Sequence, residues 1–283
     1  MNYLIDYHVH SIYSHDGRNT IMELCQSAVR KGIREIAITD HFEPSIVDEC
    51  CSFYNQKGYW ADITKAKQTF KSKLKIKLGV ELGHPHLFPK ISNAILEDFP
   101  YDYVLGSVHK LPEGIDVSEI DYEKISAEEL CSMYLRQIKE LIYWNDFECI
   151  GHLDLIKRYS SVVYKKNITL ACQYEFLKEV LQLAINNGKG IEINTSGLRQ
   201  TPKETMPGLD VLKLYRDLGG EILTIGSDAH IAEDVGKGLG EAAELARTAG
   251  FRFITVFNSR KPEWVSITDE KNTLGSVKQI ITQ

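Results

Sequence analysis

The sequence predicts an α/β fold in which seven strands and the helices between them form one closed or nearly closed barrel. Short apolar or β-branched runs recur seven times, each is separated from the next by enough residues for a helix, and no Gly/Ser linker or low-complexity stretch interrupts the 283 residues. Strands that alternate with helices pair in parallel. The seven predicted strands are Tyr3–His10, Glu35–His41, Lys75–Glu81, Asp102–His109, Glu148–His152, Gly190–Asn194 and Glu221–Asp228.

Conventional end signals mark the predicted helices between these strands. The three clearest helices are Thr20–Lys31, Ala127–Asn145 and Thr169–Asn187. The first has Thr20 as its N-cap and Glu23 in its first turn, the second follows Ser126, and the third ends at Gly188. Hydroxyl side chains satisfy the free N–H groups at a helix start, and glycine readily adopts the left-handed conformation after a helix end.

We expect a single domain that takes up residues 1–283. Its tail, residues 251–283, contains the apolar runs Phe251–Phe257 and Trp264–Ile267 on either side of a short polar turn. Such a pair of runs forms either a β-hairpin or an eighth short strand that closes the barrel. No repeat of fixed length is present, which excludes a solenoid.

The charge balance argues against a nucleic-acid partner. The chain has 33 Lys and Arg residues against 39 Asp and Glu residues, a formal net charge of −6, and no long basic run. Binding along a phosphate backbone requires a broad basic face. Carboxylates at a metal site would also add formal negative charge that bound cations neutralise.

The cysteines and the first residues of the chain indicate a cytoplasmic protein. None of the six cysteines belongs to a C-x-x-C pair, and the adjacent Cys50 and Cys51 suit a disulfide framework poorly, so we expect reduced thiols. The start, MNYLIDYHVH, lacks the basic and then apolar stretches of a signal peptide, and nowhere do about 18 apolar residues run together. We therefore expect no signal peptide and no membrane span.

Histidines and acids end six of the seven predicted strands. The first strand ends in His8 and His10, which point to the same face with Cα atoms about 6.6–6.8 Å apart, because strand side chains alternate. The carboxyl ends of parallel barrel strands meet on one rim, so residues far apart in the sequence converge there. The rim residues of this kind are His8, His10, His15, His41, Glu81, His109, His152, Asp228 and His230.

This concentration of imidazole and carboxylate groups predicts a site for several metal ions. One tetrahedral ion needs four ligands, so two or three ions are implied, and the mixture of ligands suits zinc, manganese or iron. Glu81 ends its strand without a neighbouring histidine and is the natural bridge between ions. Clustered divalent ions lower the pKa of bound water and hold both oxygens of an in-line displacement at phosphorus. The sequence therefore predicts hydrolysis of a phosphate ester.

Four motifs at these strand ends resemble the polymerase and histidinol phosphatase (PHP) superfamily. They are DYHVHS, TDH, GSVH with GHLDLIKR, and GSDAH. The segments Gly79–Gly83 and Gly151–Arg158 are similar to those of the histidinol-phosphate phosphatase branch, and the resemblance extends over nearly the whole chain. It implies a distorted seven-stranded (β/α) barrel with a trinuclear metal site.

The resemblance also implies a ligand set for each of three divalent ions. The three sets are His8, His10, Glu81 and Asp228 for the first ion, Glu81, His109 and His152 for the second, and His15, His41 and His230 for the third. Among these residues we expect Glu81, Asp228 and His230 to be catalytic.

Two arginines are expected to bind the phosphate group, together with His41. Arg158 and Arg199 follow consecutive predicted strands. Guanidinium groups form paired hydrogen bonds with phosphate oxygens. The resemblance also implies arginines in this role, which favours a phosphate clamp over plain surface charge.

Two further histidines, His84 and His86, lie outside the nine-ligand pattern. Pro85 between them stiffens a turn, so we expect them to line the pocket or to lie in an exposed loop and not to bind metal.

The connection Phe42–Trp60 is long, and long connections are often lids. Its acidic and aromatic side chains would suit a cationic imidazole and amine substrate. Alternatively, it is an ordinary surface excursion whose Trp60 packs on the next helix. The residues concerned are Glu43, Asp48, Glu49, Tyr54, Tyr59 and Trp60.

The function implied by the resemblance is hydrolysis of L-histidinol phosphate to L-histidinol and phosphate, a step of histidine biosynthesis, by attack of metal-activated hydroxide on phosphorus. The alternatives are a phosphatase of another small monoester, a protein-tyrosine phosphatase, an exonuclease and a metal-stabilised interaction module. The acidic net charge counts against the nuclease, and the intact ligand positions count against the module. We expect a small phosphate monoester as substrate and no nucleic-acid or membrane partner, while a homo-oligomer stays open.

Overall fold

Strands and helices alternate along the chain in a computed structural model that describes residues 4–44, 54–111 and 114–267. Its strands are β1 (Leu4–Asp6), β2 (Ile33–Ile38), β3 (His41–Phe42), β4 (Lys75–Gly83), β5 (Tyr103–Ser107), β6 (Cys149–Ile150), β7 (Gly190–Asn194), β8 (Leu223–Gly226), β9 (Phe253–Asn258) and β10 (Lys261–Ser266). Seven of them form a parallel sheet in the order β1-β2-β4-β5-β6-β7-β8, and β3 pairs with β4.

Helices occupy most of the connections between these strands. They are α1 (Ile21–Arg30), α2 (Gln56–Phe70), α3 (Pro89–Asp98), α4 (Ala127–Trp144), α5 (Ile156–Tyr164), α6 (Tyr174–Asn186), α7 (Ser196–Arg199), α8 (Leu209–Asp217) and α9 (Leu239–Thr248). The predicted helix over residues 169–187 divides into a short 3-10 turn, Leu170–Gln173, followed by α6.

Main-chain hydrogen bonds join the first strand of the sheet to the last. Tyr7 N donates to Ile225 O at 2.9 Å, and Asp228 N donates to His8 O at 2.7 Å. Side chains reinforce the same seam, because the buried Asp6 carboxylate accepts a hydrogen bond from Ser227 N at 2.8 Å. These contacts nearly close the sheet, so the predicted seven-stranded barrel is confirmed.

The start of α1 shows how local sequence fixes an element. Thr20 Oγ1 accepts from Glu23 N at 3.3 Å, and Glu23 Oε2 accepts from Thr20 N at 2.8 Å, which forms a reciprocal capping box. The buried residues Ile21, Leu24 and Ala28 then recur at helical spacing and pack α1 on the sheet.

The helices each bury one face and expose the other. In α4, Leu130, Tyr134 and Leu141 are buried, whereas Tyr143 is 58% exposed. In the part of the chain that the structure describes, we find no helix with both the length and the apolar character that a membrane crossing requires.

The tail forms a hairpin of its own and adds no strand to the barrel wall. Within the described residues, β9 and β10 pair only with each other, in antiparallel register. Phe257 stacks on Tyr103 at 5.1 Å, and Thr255 Oγ1 accepts from Leu223 N at 3.1 Å. Both partners begin barrel strands, so the hairpin covers the amino end of the barrel. Residues 268–283 lie outside the described part.

Candidate metal centre

The side chains predicted to bind metal lie at the carboxyl end of the barrel, where parallel strands converge. Five of the seven strands are shorter than predicted, whereas β4 is longer and β7 has the predicted bounds, so most of these residues follow a strand end and are not paired within it. His152 and Asp228 have φ angles of 23° and 52°, a region that few non-glycine residues adopt and that is concentrated at functional sites. His8, His10 and Glu81 are fully buried, whereas the side chain of His15 is 44% exposed.

A first group consists of His8, His10, Glu81 and Asp228. Nε2 of His8 lies 3.2 Å from Glu81 Oε2 and 3.7 Å from Asp228 Oδ1. Nε2 of His10 lies 3.5 Å and 3.3 Å from the same two oxygens. Four ligands about 2.0–2.1 Å from a tetrahedral zinc ion would be about 3.3–3.4 Å apart, so these spacings suit one ion.

A second group shares Glu81 with the first. Glu81 Oε1 lies 2.9 Å from His152 Nε2 and 3.3 Å from His109 Nε2, and the two ring nitrogens are 3.3 Å apart. Since Glu81 presents Oε2 to the first group and Oε1 to the second, its carboxylate has the geometry of a bridge between two cations.

A third group forms around His41 and His230, but His15 stands apart from it. The ligand atoms of His10, His41 and His230 lie within 4.8 Å of one another, and His15 belongs to no such group in the described residues. The Asp16 carboxylate connects these histidines, at 3.0 Å from His230 Nε2, 3.8 Å from His41 Nε2 and 4.0 Å from His15 Nδ1. Sequence reasoning missed Asp16, although its position directly after His15 could have indicated it.

Unpaired polar atoms mark the middle of the centre. His8 Nε2, His10 Nε2 and Glu81 Oε2 are buried, and none has a hydrogen-bond partner among the described residues. Buried polar atoms nearly always have a partner. A divalent cation between these facing lone pairs would satisfy all three, so the residues present fit the predicted metal.

Outer hydrogen bonds orient the histidine rings. His8 Nδ1 lies 2.8 Å from Glu192 Oε1, and His10 Nδ1 lies 3.0 Å from Ser14 Oγ, which in turn donates to Asp40 Oδ1 at 2.7 Å. Each bond occupies Nδ1 and leaves Nε2 facing the centre, a common arrangement around metal-binding histidines. Sequence reasoning missed Glu192, which lies within a strand and gives no sign of its partner ring.

Burial and the neighbouring rings act in opposite directions on the central carboxyl groups. Burial favours the neutral acid of Glu81, but the His8 and His41 rings outweigh it and hold the pKa of Glu81 well below its usual range. The pKa of Asp228 is lowered in the same way. For His10, burial and the neighbouring rings together lower the pKa well below its usual value. Ionised carboxylates and neutral imidazole are the forms that bind metal, so a cation at His8 must displace a proton, because Glu192 and Glu81 outweigh burial and raise the pKa of His8 well above its usual value.

A cavity of about 270 Å³ opens over the centre, and the two predicted phosphate-binding arginines differ in their relation to it. Arg158 lines the cavity, as His41 does, and its Nη2 donates to Asp228 Oδ2 at 3.1 Å and to Ser196 Oγ at 2.8 Å. Arg199 is not among the lining residues, and its Nη2 donates to the Ser227 carbonyl at 2.7 Å.

The connection Phe42–Trp60 contributes little to this cavity in the part that the structure describes. Residues 45–53, which include Asp48 and Glu49, lie outside the described part. Tyr54 and Tyr59 are buried, and Trp60 lies within α2 and packs against Phe99, which directly follows α3, at 5.5 Å. Of the described residues in this connection, only Glu43 lines the cavity.

The additional histidines are neither exposed nor part of the cavity wall. His84 is fully buried and lies behind the centre, and His86 Nε2 lies 3.1 Å from Gln137 Oε1. The expectation that they line the pocket or lie in an exposed loop is therefore wrong for His84, which is fully buried, whereas His86 is half-buried beside the exposed Leu87.

Comparison with known proteins identifies a family and several relatives that match this chain. The chain matches the PHP domain family over residues 6–196. The histidinol-phosphatase of Lactococcus lactis subsp. lactis (strain IL1403) is 31% identical over 259 residues, which cover 91% of this chain and 95% of that protein. The probable histidinol-phosphatase of Thermotoga maritima is 28% identical and covers 89% of this chain and 95% of its own length.

The fold agrees with a solved structure as well. A crystal structure of histidinol phosphate phosphatase from Lactococcus lactis, complexed with zinc, L-histidinol and phosphate, matches with a TM-score of 0.83 and 29% identity. The match covers 92% of this chain and 98% of that chain. From the family match and from a likeness that spans nearly the full length of both proteins, the chain belongs to the PHP domain family, in its histidinol-phosphatase branch.

Proposed function

We propose that this chain is a histidinol-phosphatase, which hydrolyses L-histidinol phosphate to L-histidinol and phosphate in histidine biosynthesis. The observation that carries the proposal is the convergence of two ligand groups on the shared carboxylate of Glu81, beneath a cavity that Arg158 lines. The 31% identity to a histidinol-phosphatase, over nearly all of both proteins, supports the choice of substrate.

Three divalent ions are proposed for the site; the first two ligand sets follow the groups described above, and the third keeps His15, which stands apart from His41 and His230 in the structure. The sets are His8, His10, Glu81 and Asp228 for the first ion, Glu81, His109 and His152 for the second, and His15, His41 and His230 for the third, with Asp16 beside the last set. Zinc, manganese and iron all suit such ligands, and the zinc in the Lactococcus lactis structure favours zinc.

Metal ions bound there would supply Lewis acidity, which lowers the pKa of a coordinated water and neutralises charge that develops on the phosphoryl group. Arg158 is the residue proposed to hold the phosphate group. Hydrogen bonds of its Nη2 to Asp228 and Ser196 set the plane of the guanidinium, and its Nε has no hydrogen-bond partner among the described residues, which supports this role. Glu81 and Asp228 keep their negative charge because the surrounding rings lower their pKa values, and His230 reaches the cavity beside Asp16.

Arg199 lies outside the cavity and contacts the backbone next to Asp228. Its Nη2 donates to the carbonyl of Ser227, at 2.7 Å, and lies 3.3 Å from that of Asp228. It therefore supports the strained backbone that presents the Asp228 carboxylate. Direct contact of Arg199 with phosphate stays a prediction.

We also propose a cytoplasmic location with reduced thiols. Among the described residues, Cys25, Cys131, Cys149 and Cys172 are free. Cys50 and Cys51 lie outside the described part.

A substrate panel tests the proposed function. We expect L-histidinol phosphate to show a higher kcat/KM than glycerol phosphate, a phosphotyrosine peptide or single-stranded DNA, because contacts to the imidazole and amine are made on the leaving-group side, where substrates differ. The Asp228→Ala variant, purified identically, controls for contaminating phosphatases. Equal turnover of glycerol phosphate or phosphotyrosine would refute the biosynthetic substrate, and so would failure to complement a histidine-requiring strain that lacks this phosphatase despite soluble, metal-loaded protein.

A further inference from the structure

Glu43 lies between two histidine rings on the outer side of the metal centre. The residue is 5% exposed, its Oε1 lies 2.5 Å from His109 Nδ1, and its Oε2 lies 3.2 Å from His84 Nδ1. The other nitrogen of His109, Nε2, faces Glu81 Oε1 and His152 Nε2, each at 3.3 Å. The His109 ring therefore has one carboxylate at each of its nitrogens.

The contact between Glu43 and His109 is either a hydrogen bond or part of a further metal site. His41, Glu43 and His109 have ligand atoms within 4.8 Å of one another, so a cation between them is an alternative. Two ligands of one tetrahedral ion would be about 3.3–3.4 Å apart, so the His109 Nδ1–Glu43 Oε1 contact is too close for two ligands of one ion, and His109 already turns Nε2 to Glu81 and His152. His109 Nδ1 accordingly donates a proton to Glu43, which leaves the Nε2 lone pair directed at the centre.

The backbone around Glu43 is built to accept its carboxylate. A Cβ atom at Gly83 would lie 2.1 Å from Glu43 Oε2 and 2.2 Å from Oε1, so any side chain there would displace it. The next residue, His84, has a φ angle of 42°, which costs a non-glycine residue conformational energy. Its backbone N–H donates to Ser107 O at 2.6 Å, which holds the fully buried ring beside Glu43.

The same arrangement occurs on the opposite side of the centre, where Glu192 Oε1 lies 2.8 Å from Nδ1 of the proposed ligand His8. His84, in contrast, belongs to none of the possible metal-binding groups among the described residues. These observations indicate that His84 contacts and supports Glu43 and does not bind a metal ion directly in the described geometry.

We propose that Glu43 and His84 are positioning residues for His109, in a chain His84–Glu43–His109 that fixes the tautomer and orientation of a metal-binding ring. The inference rests on the metal-binding role proposed for His109. It gives the Gly83-His84 pair of the GHPH segment a function, because Gly83 makes room for the carboxylate and His84 holds it in place.

The experiment measures metal affinity directly, without substrate. Metal-depleted protein is titrated with zinc in competition with a chromophoric chelator, and the cobalt-substituted protein is examined by visible absorption spectroscopy. We expect Glu43→Gln to weaken one zinc site about 10–100-fold and to alter the cobalt spectrum, as outer partners of metal-binding histidines do. His84→Asn, which retains a residue type tolerant of this φ angle, should show a smaller change in the same direction.

Two further variants distinguish a failure of the proposed metal site from a failure of the positioning role. Glu148→Gln is the matched control, because Glu148 is also buried but its carboxylate accepts from Val104 N and Arg260 Nε, each at 2.7 Å. If His109→Ala leaves zinc binding unchanged, the proposed metal site itself is wrong. If His109→Ala loses a site while Glu43→Gln behaves like Glu148→Gln, the positioning role is overturned. Should Glu43→Gln fail to fold, unchanged zinc affinity and an unchanged cobalt spectrum in His84→Asn overturn it equally.

Discussion

At the scale of single residues, the proposed bridging role of Glu81 decides whether the metal centre is one site or several. Its Oε2 lies 3.2 Å from His8 Nε2, and its Oε1 lies 2.9 Å from His152 Nε2. A glutamine keeps the shape but replaces one of these oxygens with an amide nitrogen that cannot bind a cation. We therefore expect Glu81→Gln to lower the metal content from about three ions to about one and to reduce turnover more than about 100-fold, beyond the effect of an outer partner.

Elemental analysis of protein purified without added metal checks this expectation. Asp228→Ala, which removes a ligand of one group only, should lose about one ion. Glu35→Gln serves as the control, because Glu35 is also buried but accepts from Tyr7 Oη at 2.6 Å. Three ions in the Glu81→Gln protein would contradict the shared carboxylate.

Substitutions of Arg158 and Arg199 should differ in their effect on phosphate binding. We expect Arg158→Ala to cost about 2–4 kcal/mol in transition-state binding, because a guanidinium at the cavity can donate to phosphate oxygens as they gain charge. Arg199→Ala should cost less, since its Nη2 is occupied by the carbonyl of Ser227. Inhibition by inorganic phosphate, kcat/KM and metal content are measured together, with the surface residue Arg216→Ala as control. Unchanged kcat/KM in Arg158→Ala would contradict a phosphate-binding role and leave Arg158 with a structural role only.

Some site residues could be predicted from the sequence and others could not, depending on whether their role is set by their own position or by a distant partner. His8, His10 and Glu81 could be predicted to converge on one site, because the end of a parallel strand is a position that the sequence reveals. Glu43 and Glu192 could not, since each acts on a ring contributed by a distant strand. Their roles depend on which side chain lies opposite, and one sequence does not contain that information.

At the scale of elements, the starts of two helices were predictable, whereas the ends of most strands were not, β7 being an exception. Thr20 and Ser126 cap their helices as expected, because a cap is a local interaction between residues three apart. The first strand, in contrast, ends at Asp6, before His8. The loops that carry the proposed ligands leave the strand ladder, so tertiary contacts, which the local sequence does not reveal, direct their side chains.

The tail illustrates a second kind of ambiguity. Alternating apolar residues in Phe251–Phe257 and Trp264–Ile267 fit a hairpin and an eighth barrel strand equally well, because both bury one face of a strand. The structure forms the hairpin, and Phe257 stacks on Tyr103 at the amino end of the barrel.

This hairpin should contribute to stability and leave the chemistry unaffected. Phe257 is 2% exposed, so Phe257→Ala is expected to lower the free energy of unfolding by about 3–5 kcal/mol through lost contacts and a cavity. Phe253→Ala on the same strand is the matched control, since Phe253 is 43% exposed and should cost much less. Denaturant unfolding measures both, and metal content should stay unchanged. Equal stability of the two variants would contradict the hairpin's role as a cap on the barrel.

At the scale of the whole molecule, the proposed ligands lie in or just after six different strands. His8 follows β1, His41 begins β3, Glu81 lies in β4, His109 follows β5, His152 follows β6 and Asp228 follows β8. Ions bound to such a set would join nearly the entire circumference of the barrel. We therefore expect metal binding and folding of the single predicted domain to be strongly coupled.

Metal removal tests this coupling. A ligand present at 100 times its dissociation constant stabilises the folded state by about 2.7 kcal/mol per site, so the loss of three ions should lower the Tm on the order of 10–20 °C. Calorimetry of the protein with and without a strong chelator measures the shift, and zinc added back should restore both Tm and turnover. Asp228→Ala, which is expected to hold fewer ions, should shift less on chelation. An unchanged Tm after complete metal removal would show that the barrel closes without the ions, and two separate transitions would contradict the single domain.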